Sequence, residues 1–243
     1  MQNEETYVSI KVWDLPVRIF HWAIFLLLAF QLVSGKMGGS MMAWHAYSGY
    51  GMLVLVIFRV LWGFAGSTHA RFASFLAGPA KTLRFARRLF SREAVPQVGH
   101  NPLGGWMVIA LLASLALQAM SGLFANDGAE FAGPLAVTAG FDLSTALTHF
   151  HRWNLRVLLV LVGLHIAAVF FHLLVKREDL LGTMFTGMKR VPEAAVHERR
   201  EGLRATPPRR VASRESAAAH FVSPWRALAL FVLALVLVSF VVR

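Results

Sequence analysis

The stretch His151–His165, HRWNLRVLLVLVGLH, lies in one of the most apolar parts of the chain and places two imidazoles on either side of thirteen mostly aliphatic residues. A helix of about 20 predominantly apolar residues is what a bilayer core of roughly 30 Å demands. On such a helix, residues fourteen apart differ by only about 40° around the axis and stand about 21 Å apart along it. One helix therefore offers an imidazole near each side of a membrane, on one face. Strand alternation is absent and the apolar run is too long for a strand, so the stretch reads as a spanning helix.

The rest of the chain agrees. It has 243 residues, 56% of them hydrophobic, with a mean hydropathy of +0.55. Five segments are long and apolar enough to span, at about 17–36, 43–65, 102–125, 148–175 and 224–242. The expected fold is an all-α integral membrane protein: a four-helix transmembrane bundle, to which a fifth, C-terminal transmembrane helix is added. The polar, partly acidic N-terminal stretch MQNEETYVSI does not resemble a signal peptide. There is no cysteine, which removes disulfides, thiolate metal sites, iron–sulfur ligation and covalent haem attachment together.

The formal net charge is +11, but its placement argues against nucleic acid. Basic residues gather between the second and third segments, from Arg71 to Arg92, and between the fourth and fifth, from Lys176 to Arg214. The opposite loops carry Lys36 on one connection and Asp127, Glu130 and Asp142 on the other. By the positive-inside rule the N-terminus is cytoplasmic and the C-terminus periplasmic, in a bacterial inner membrane. The basic excess then reports topology and contact with anionic lipid. Three regions follow: a bundle over residues 1–189, a basic cytoplasmic linker over 190–222, and a terminal helix over 223–243 that reads as an anchor or partner-contact helix. No internal repeat is evident.

With this topology, His21 of RIFHW starts the first segment at the inner side, and His45 of AWHAYSGYG starts the second at the outer side. Depth pairs His45 with His151 and His21 with His165. Two imidazoles fill both axial positions of a haem iron, which favours electron transfer over oxygen chemistry. Ionisable groups deep in a membrane are costly and mark function. Four histidines at two matching depths favour two non-covalent haems; a proton relay, a quinone pocket and plain packing are the alternatives. Arg59 lies fourteen residues after His45, on the same face at the inner depth, and Arg18 lies one turn before His21. Each is a candidate cationic partner for haem propionates or an interfacial snorkelling residue. Gly35, Gly49 and Gly51 suit either close approach of a porphyrin or helix packing. His172 and His100 are candidates for contact with a propionate or a quinone, whereas His149 faces away from the ligand side and His69 sits in a basic loop.

Three long motifs in order, VWDLPVRIFHW, GHNPLGGWMVIALLASLALQAMSGLFAND and HRWNLRVLLVLVGLHIAAVFFHLLVKREDLLGTMFTG, resemble the bacterial cytochrome b561 family. That family includes the b-type cytochrome subunits of membrane-bound nickel–iron hydrogenases. The resemblance covers about residues 10–190 and leaves the linker and last helix outside it. It implies a four-helix core with haem b and electron transfer between the quinone pool and an outer redox partner, a c-type cytochrome or a hydrogenase-like subunit. It also implies His21, His45, His151 and His165 as the iron ligands. The start of the second spanning segment departs from the family's HEWLGY-like form, reading HAYSGY from His45 here, but keeps the His and Gly. A stand-alone superoxide:quinone oxidoreductase and a membrane anchor subunit of a larger redox complex are the rival readings. Whether the chain is itself an enzyme is left open.

Overall fold

The computed structural model describes residues 7–89, 99–128, 131–192 and 220–243. The helices are α1 (Leu15–Met37), α2 (Met41–Ala65), α3 (Phe72–Phe75), α4 (Pro79–Arg88), α5 (Pro102–Leu123), α6 (Ala136–Ala139), α7 (Phe141–Leu174), α8 (Leu180–Thr186) and α9 (Pro224–Val241). Five of these, α1, α2, α5, α7 and α9, are long and apolar enough to cross a membrane. The protein is an all-α, multi-pass membrane bundle, as the apolar runs indicate. Most of the expected linker, residues 193–219, lies outside the described residues.

The bundle is built from two antiparallel hairpins. One joins α1 to α2 and the other joins α5 to α7; α2 packs on α5 between them, and α9 packs along α2. Packing of helices in lipid comes from close contact and hydrogen bonding rather than exclusion of water. Small residues accordingly mark the α2–α9 contact, where Ala227, Ala234 and Val238 of α9 are buried. At mid-depth, Met52 and Val56 of α2, Leu115 of α5 and Leu158 of α7 form a separate cluster, and Leu158 is fully buried. Elsewhere α7 is largely exposed, with Val160, Leu164, Phe170 and Leu174 on its open faces, as a lipid-facing surface requires.

Two features differ from the sequence expectation. Helix α7 begins at Phe141, two turns before the apolar run. The added turns carry Asp142, Ser144 and Thr145, polar residues that a hydropathy window excludes but a helix extending beyond the bilayer tolerates. The second feature is a two-stranded antiparallel ribbon, with β1 (Tyr7–Lys11) paired to β2 (Met188–Pro192) in the register Tyr7↔Pro192 to Lys11↔Met188. A five-residue strand leaves too little alternation to read from sequence. The ribbon takes in residues 190–192, the first three of the expected linker.

The ribbon is locked by Gly187, which caps α8 in the left-handed conformation at φ 80°. Its carbonyl accepts the backbone N–H groups of Val12 at 2.8 Å and Trp13 at 3.2 Å. A Cβ at Gly187 would come within 2.8 Å of the Trp13 carbonyl oxygen, so the position requires glycine both for its φ and for its space. The chain then enters α1 through Asp14. Its carboxylate caps the helix by accepting the Val17 N–H at 2.8 Å and accepts the indole N–H of the fully buried Trp62 at 3.0 Å. A single buried side chain thus starts α1 and ties it to the end of α2.

Replacing Asp14 with Ala removes the cap and leaves a buried indole donor without its partner. Asp14→Ala is expected to destabilise the folded protein by about 2–4 kcal/mol, read as a lower thermal midpoint in detergent. An unchanged midpoint would show that the contact carries no weight.

Candidate haem-binding site

Four imidazoles converge on the space between the α1–α2 hairpin and α7. His45 of α2 faces His151 of α7, with ring centroids 6.3 Å apart and planes crossing at 81°. His21 of α1 faces His165 of α7, with centroids again 6.3 Å apart and planes at 55°. The second pair lies at the ribbon end of the bundle and the first at the distal end. These are the pairs that depth arithmetic selects. Leu158 stands seven residues from each α7 histidine on the same face, and the mid-depth cluster around it separates the two pairs.

The equal spacing suits one metal ion between two rings. An imidazole nitrogen binds a first-row metal at about 2 Å and the ring centre lies roughly 1 Å behind it, so two rings sharing one metal ion would stand about 6 Å apart. At this separation the rings are too distant to bond to each other.

Neighbouring side chains hold His45 at one ring nitrogen and His151 at both. His45 Nδ1 lies 3.2 Å from Ser34 Oγ. His151 Nδ1 lies 3.2 Å from Ser121 Oγ and 2.9 Å from the Gln118 carbonyl oxygen. On the other nitrogen of His151, the Gln118 amide donates to Nε2 at 3.1 Å. The Gln118 Oε1 accepts in turn from Asn154 at 2.8 Å. Asn154, itself 2% exposed, donates to the Ser114 carbonyl and accepts from the Ser114 hydroxyl. Gln31 donates to the His45 carbonyl at 2.8 Å and to Ser48 Oγ at 3.0 Å. Sequence reading that followed charged and imidazole groups passed over these Ser, Gln and Asn residues. Their signal was available: uncharged polar side chains inside spanning helices are there to bond something. Gly49 and Gly51 face Gln31 and Leu27 of α1, so they serve helix packing, whereas Gly35 faces the His45 ring.

The ribbon-end pair has a different surround. His21 Nδ1 is buried with no hydrogen-bond partner among the described residues, and so are Arg59 Nη1 and His100 Nδ1. Arg59 is only 3% exposed and its guanidinium lies over the Phe72 ring at 5.4 Å, so it does not snorkel to the interface. A buried guanidinium nitrogen without a partner is a place for an anionic group. His100 is enclosed by Trp13 and Phe75, with centroids at 4.6 and 4.7 Å.

Arg18, a candidate cationic partner for a propionate or an interfacial residue, reaches α8. Its guanidinium donates to the carbonyls of Met184 and Phe185 at the end of α8, satisfying acceptors that a helix C-terminus leaves open. His172 is also occupied. Its Nδ1–H donates to Glu178 at 2.7 Å, while Nε2 accepts from Asn101 at 3.4 Å. Lys189 of β2 reaches the same carboxylate at 3.4 Å. Burial alone would raise the Glu178 pKa, but the His172 hydrogen bond and the Lys189 charge outweigh it and hold the carboxyl below its usual range. His149 is exposed.

Comparison with known proteins places the chain. Residues 12–187 match the family described as prokaryotic cytochrome b561. The chain belongs to that family. It is similar to a probable Ni/Fe-hydrogenase B-type cytochrome subunit from Rhizobium leguminosarum bv. viciae, with 25% identity over 212 residues that cover 74% of this chain and 88% of the relative. No solved structure matches. As a cytochrome b561 family member the protein is a membrane b-type cytochrome of electron transfer, and such cytochromes carry haem b. The lack of cysteine, the two facing imidazole pairs and the unpartnered Arg59 nitrogen suit a non-covalent haem.

His100, just ahead of α5, supplies a pH test. Burial first, then the nearby Arg59, His69 and His165, lowers its pKa from 6.5 to about 3. The unfolded chain takes up this proton below pH 6.5 and the folded one only near pH 3. The contribution is therefore complete above that window and declines as pH falls through it. The slope of stability against pH between 6 and 4 is expected to be shallower in His100→Gln than in the parent, by about one proton. Equal slopes would place the His100 proton outside the folding equilibrium.

Proposed function

We propose that this chain carries electrons between membrane quinone and a redox partner at its distal, periplasmic end by holding two haems b. His45 and His151 hold one, and His21 and His165 the other. The observation that carries this reading is the pair of facing imidazoles, each at 6.3 Å, at the two ends of one helix. Haem, when bound, supplies one-electron redox chemistry at its iron. The residues of the chain do the rest. α7 holds one ligand of each pair on one rigid face. The α1–α2 hairpin presents the opposing ring of each. Arg59 offers a buried cation to a propionate, while the mid-depth cluster around Leu158 excludes water between the two sites.

The topology of this reading is an inner membrane with the basic ribbon end in the cytoplasm. The hydrogenase-related cytochrome subunit among its relatives supports an extracytoplasmic redox protein, hydrogenase-like or a c-type cytochrome, as partner. The acidic residues Asp127, in the distal loop, and Asp142, in the first turn of α7, favour a basic docking face on it. The bundle over residues 1–189 is the electron-carrying unit, and residues 190–222 link it to the terminal helix.

Pyridine haemochrome analysis of the purified protein is expected to give about two b haems per chain, the number that four histidine ligands would hold. His45→Ala and His151→Ala should remove the same haem, and His21→Ala and His165→Ala the other. Protein free of haem after purification from haem-replete cells would sink the reading, and a crossed pattern of loss would overturn the pairing. Arg59→Leu is expected to lower the midpoint potential of the ribbon-end haem, because a buried positive charge favours the reduced form. A potential that stays put would remove Arg59 from that site.

A further inference from the structure

The distal histidines are met by the same five-residue pattern, once in each hairpin. Gln31–Gly35 reads QLVSG in α1 and Gln118–Gly122 reads QAMSG in α5. In each hairpin the pattern lies on the first helix and the histidine it meets lies on the second.

The hydrogen bonds decide which proton goes where. The Ser34 hydroxyl donates to the Phe30 carbonyl at 2.8 Å, and the Ser121 hydroxyl donates to the Leu117 carbonyl at 2.7 Å. A hydroxyl has one proton. With that proton engaged, each serine oxygen meets its imidazole, 3.2 Å away in both cases, as an acceptor. Nδ1 of His45 and of His151 is then the protonated nitrogen, and Nε2 keeps its lone pair. The Gln118 amide bond to His151 Nε2 agrees with this tautomer. The glycine that follows each serine makes the approach possible. A Cβ at Gly35 would lie 3.0 Å from His45 Cε1, and one at Gly122 would lie 3.2 Å from His151 Cε1. The ribbon-end pair has no such grip on His21, whose Nδ1 is without a partner among the described residues.

We propose that the two Gln-x-x-Ser-Gly segments are matched clasps on the distal site. Ser34 and Ser121 accept Nδ1–H of His45 and His151, leave Nε2 as the nitrogen that would bind iron (at His151 in place of the Gln118 amide), and keep the potential of the distal haem lower than it is without them; Gly35 and Gly122 leave room for the ring edges. A hydrogen bond from the far ring nitrogen makes the ligating nitrogen more basic and favours the oxidised metal. The serines are positioning residues, since they act through the imidazoles. The inference rests on the haem reading above.

The test is a redox titration, followed optically and by electron paramagnetic resonance, on the full-length haem-loaded protein. Ser34→Ala is expected to raise the midpoint of the haem that His45→Ala removes and to leave the other unmoved. Ser121→Ala should shift the same haem upward by less, because the Gln118 carbonyl still holds His151. Threonine at either position, which restores the oxygen, should return the midpoint toward the parent value. Gly35→Ala, by pressing on the ring, should change the resonance of the distal haem alone. Where an alanine variant does not fold, Ser→Cys at the same position keeps the volume and carries the same expectation.

Loss of the distal haem with retention of the other also supports the clasps. Unmoved midpoints, equal shifts of both haems, or loss of both together overturn them. If the histidine variants remove their haems while the serine variants are silent, the clasps fail and the function stands. If the parent protein holds no haem, or keeps the distal one without His45 and His151, it is the function that fails.

Discussion

A polar ring placed in hydrocarbon has to be served on both nitrogens, because lipid offers neither donor nor acceptor. Four such rings sit in this bundle, and much of its internal polar structure can be traced to satisfying them. The interval between His151 and His165 is nearly a whole number of helical turns. It puts both rings on one side of α7, with Leu158 between them on that side. The α1–α2 hairpin then has one task at each end, to bring an opposing ring to the same separation, and both pairs stand at 6.3 Å.

The two ends differ in how far the protein itself meets this requirement. At the distal end, hydrogen bonds within the membrane helices do the work, those between the rings and Ser34 and Ser121, and those that join Ser114, Asn154 and Gln118. Each bond is local and uncharged, which keeps the cost of burial small. At the ribbon end the surround is aromatic and cationic. Arg59, His21 and His100 keep buried nitrogens without partners among the described residues, a costly state for an empty core and a sensible one around an anionic cofactor. The ribbon of β1 and β2, the Asp14–Trp62 bond and the His172–Glu178–Lys189 network close this end. Arg18 belongs to the same closure, since it fastens α8 to α1.

Membership of the cytochrome b561 family implies haem b, in a chain without a cysteine to attach it covalently. The family match ends at residue 187, within a residue of the β-ribbon's second strand. Helix α9 lies beyond it, yet packs closely on α2. His220 exchanges hydrogen bonds with Thr68 just past the end of α2, so the last helix starts at the ribbon end.

By itself the sequence determined the spanning helices, the end of the bundle at which each histidine lies, and hence which rings can meet. These follow from local quantities: the length of an apolar run, the rise per residue and the angle between positions on one helix. Only the tertiary structure decided how the rings are held. The part played by QLVSG and QAMSG depends on a neighbouring helix reaching a serine oxygen with its proton already engaged. The fate of Arg18, close to His21 in sequence but bonded to α8, depends on where a distant turn ends. The pairing of residues 7–11 with 188–192 is a contact between segments nearly the length of the bundle apart in sequence, and strands of five residues carry too short a period to announce it. Periodicity constrains one helix at a time; hydrogen-bond partners between helices are settled when the chain packs.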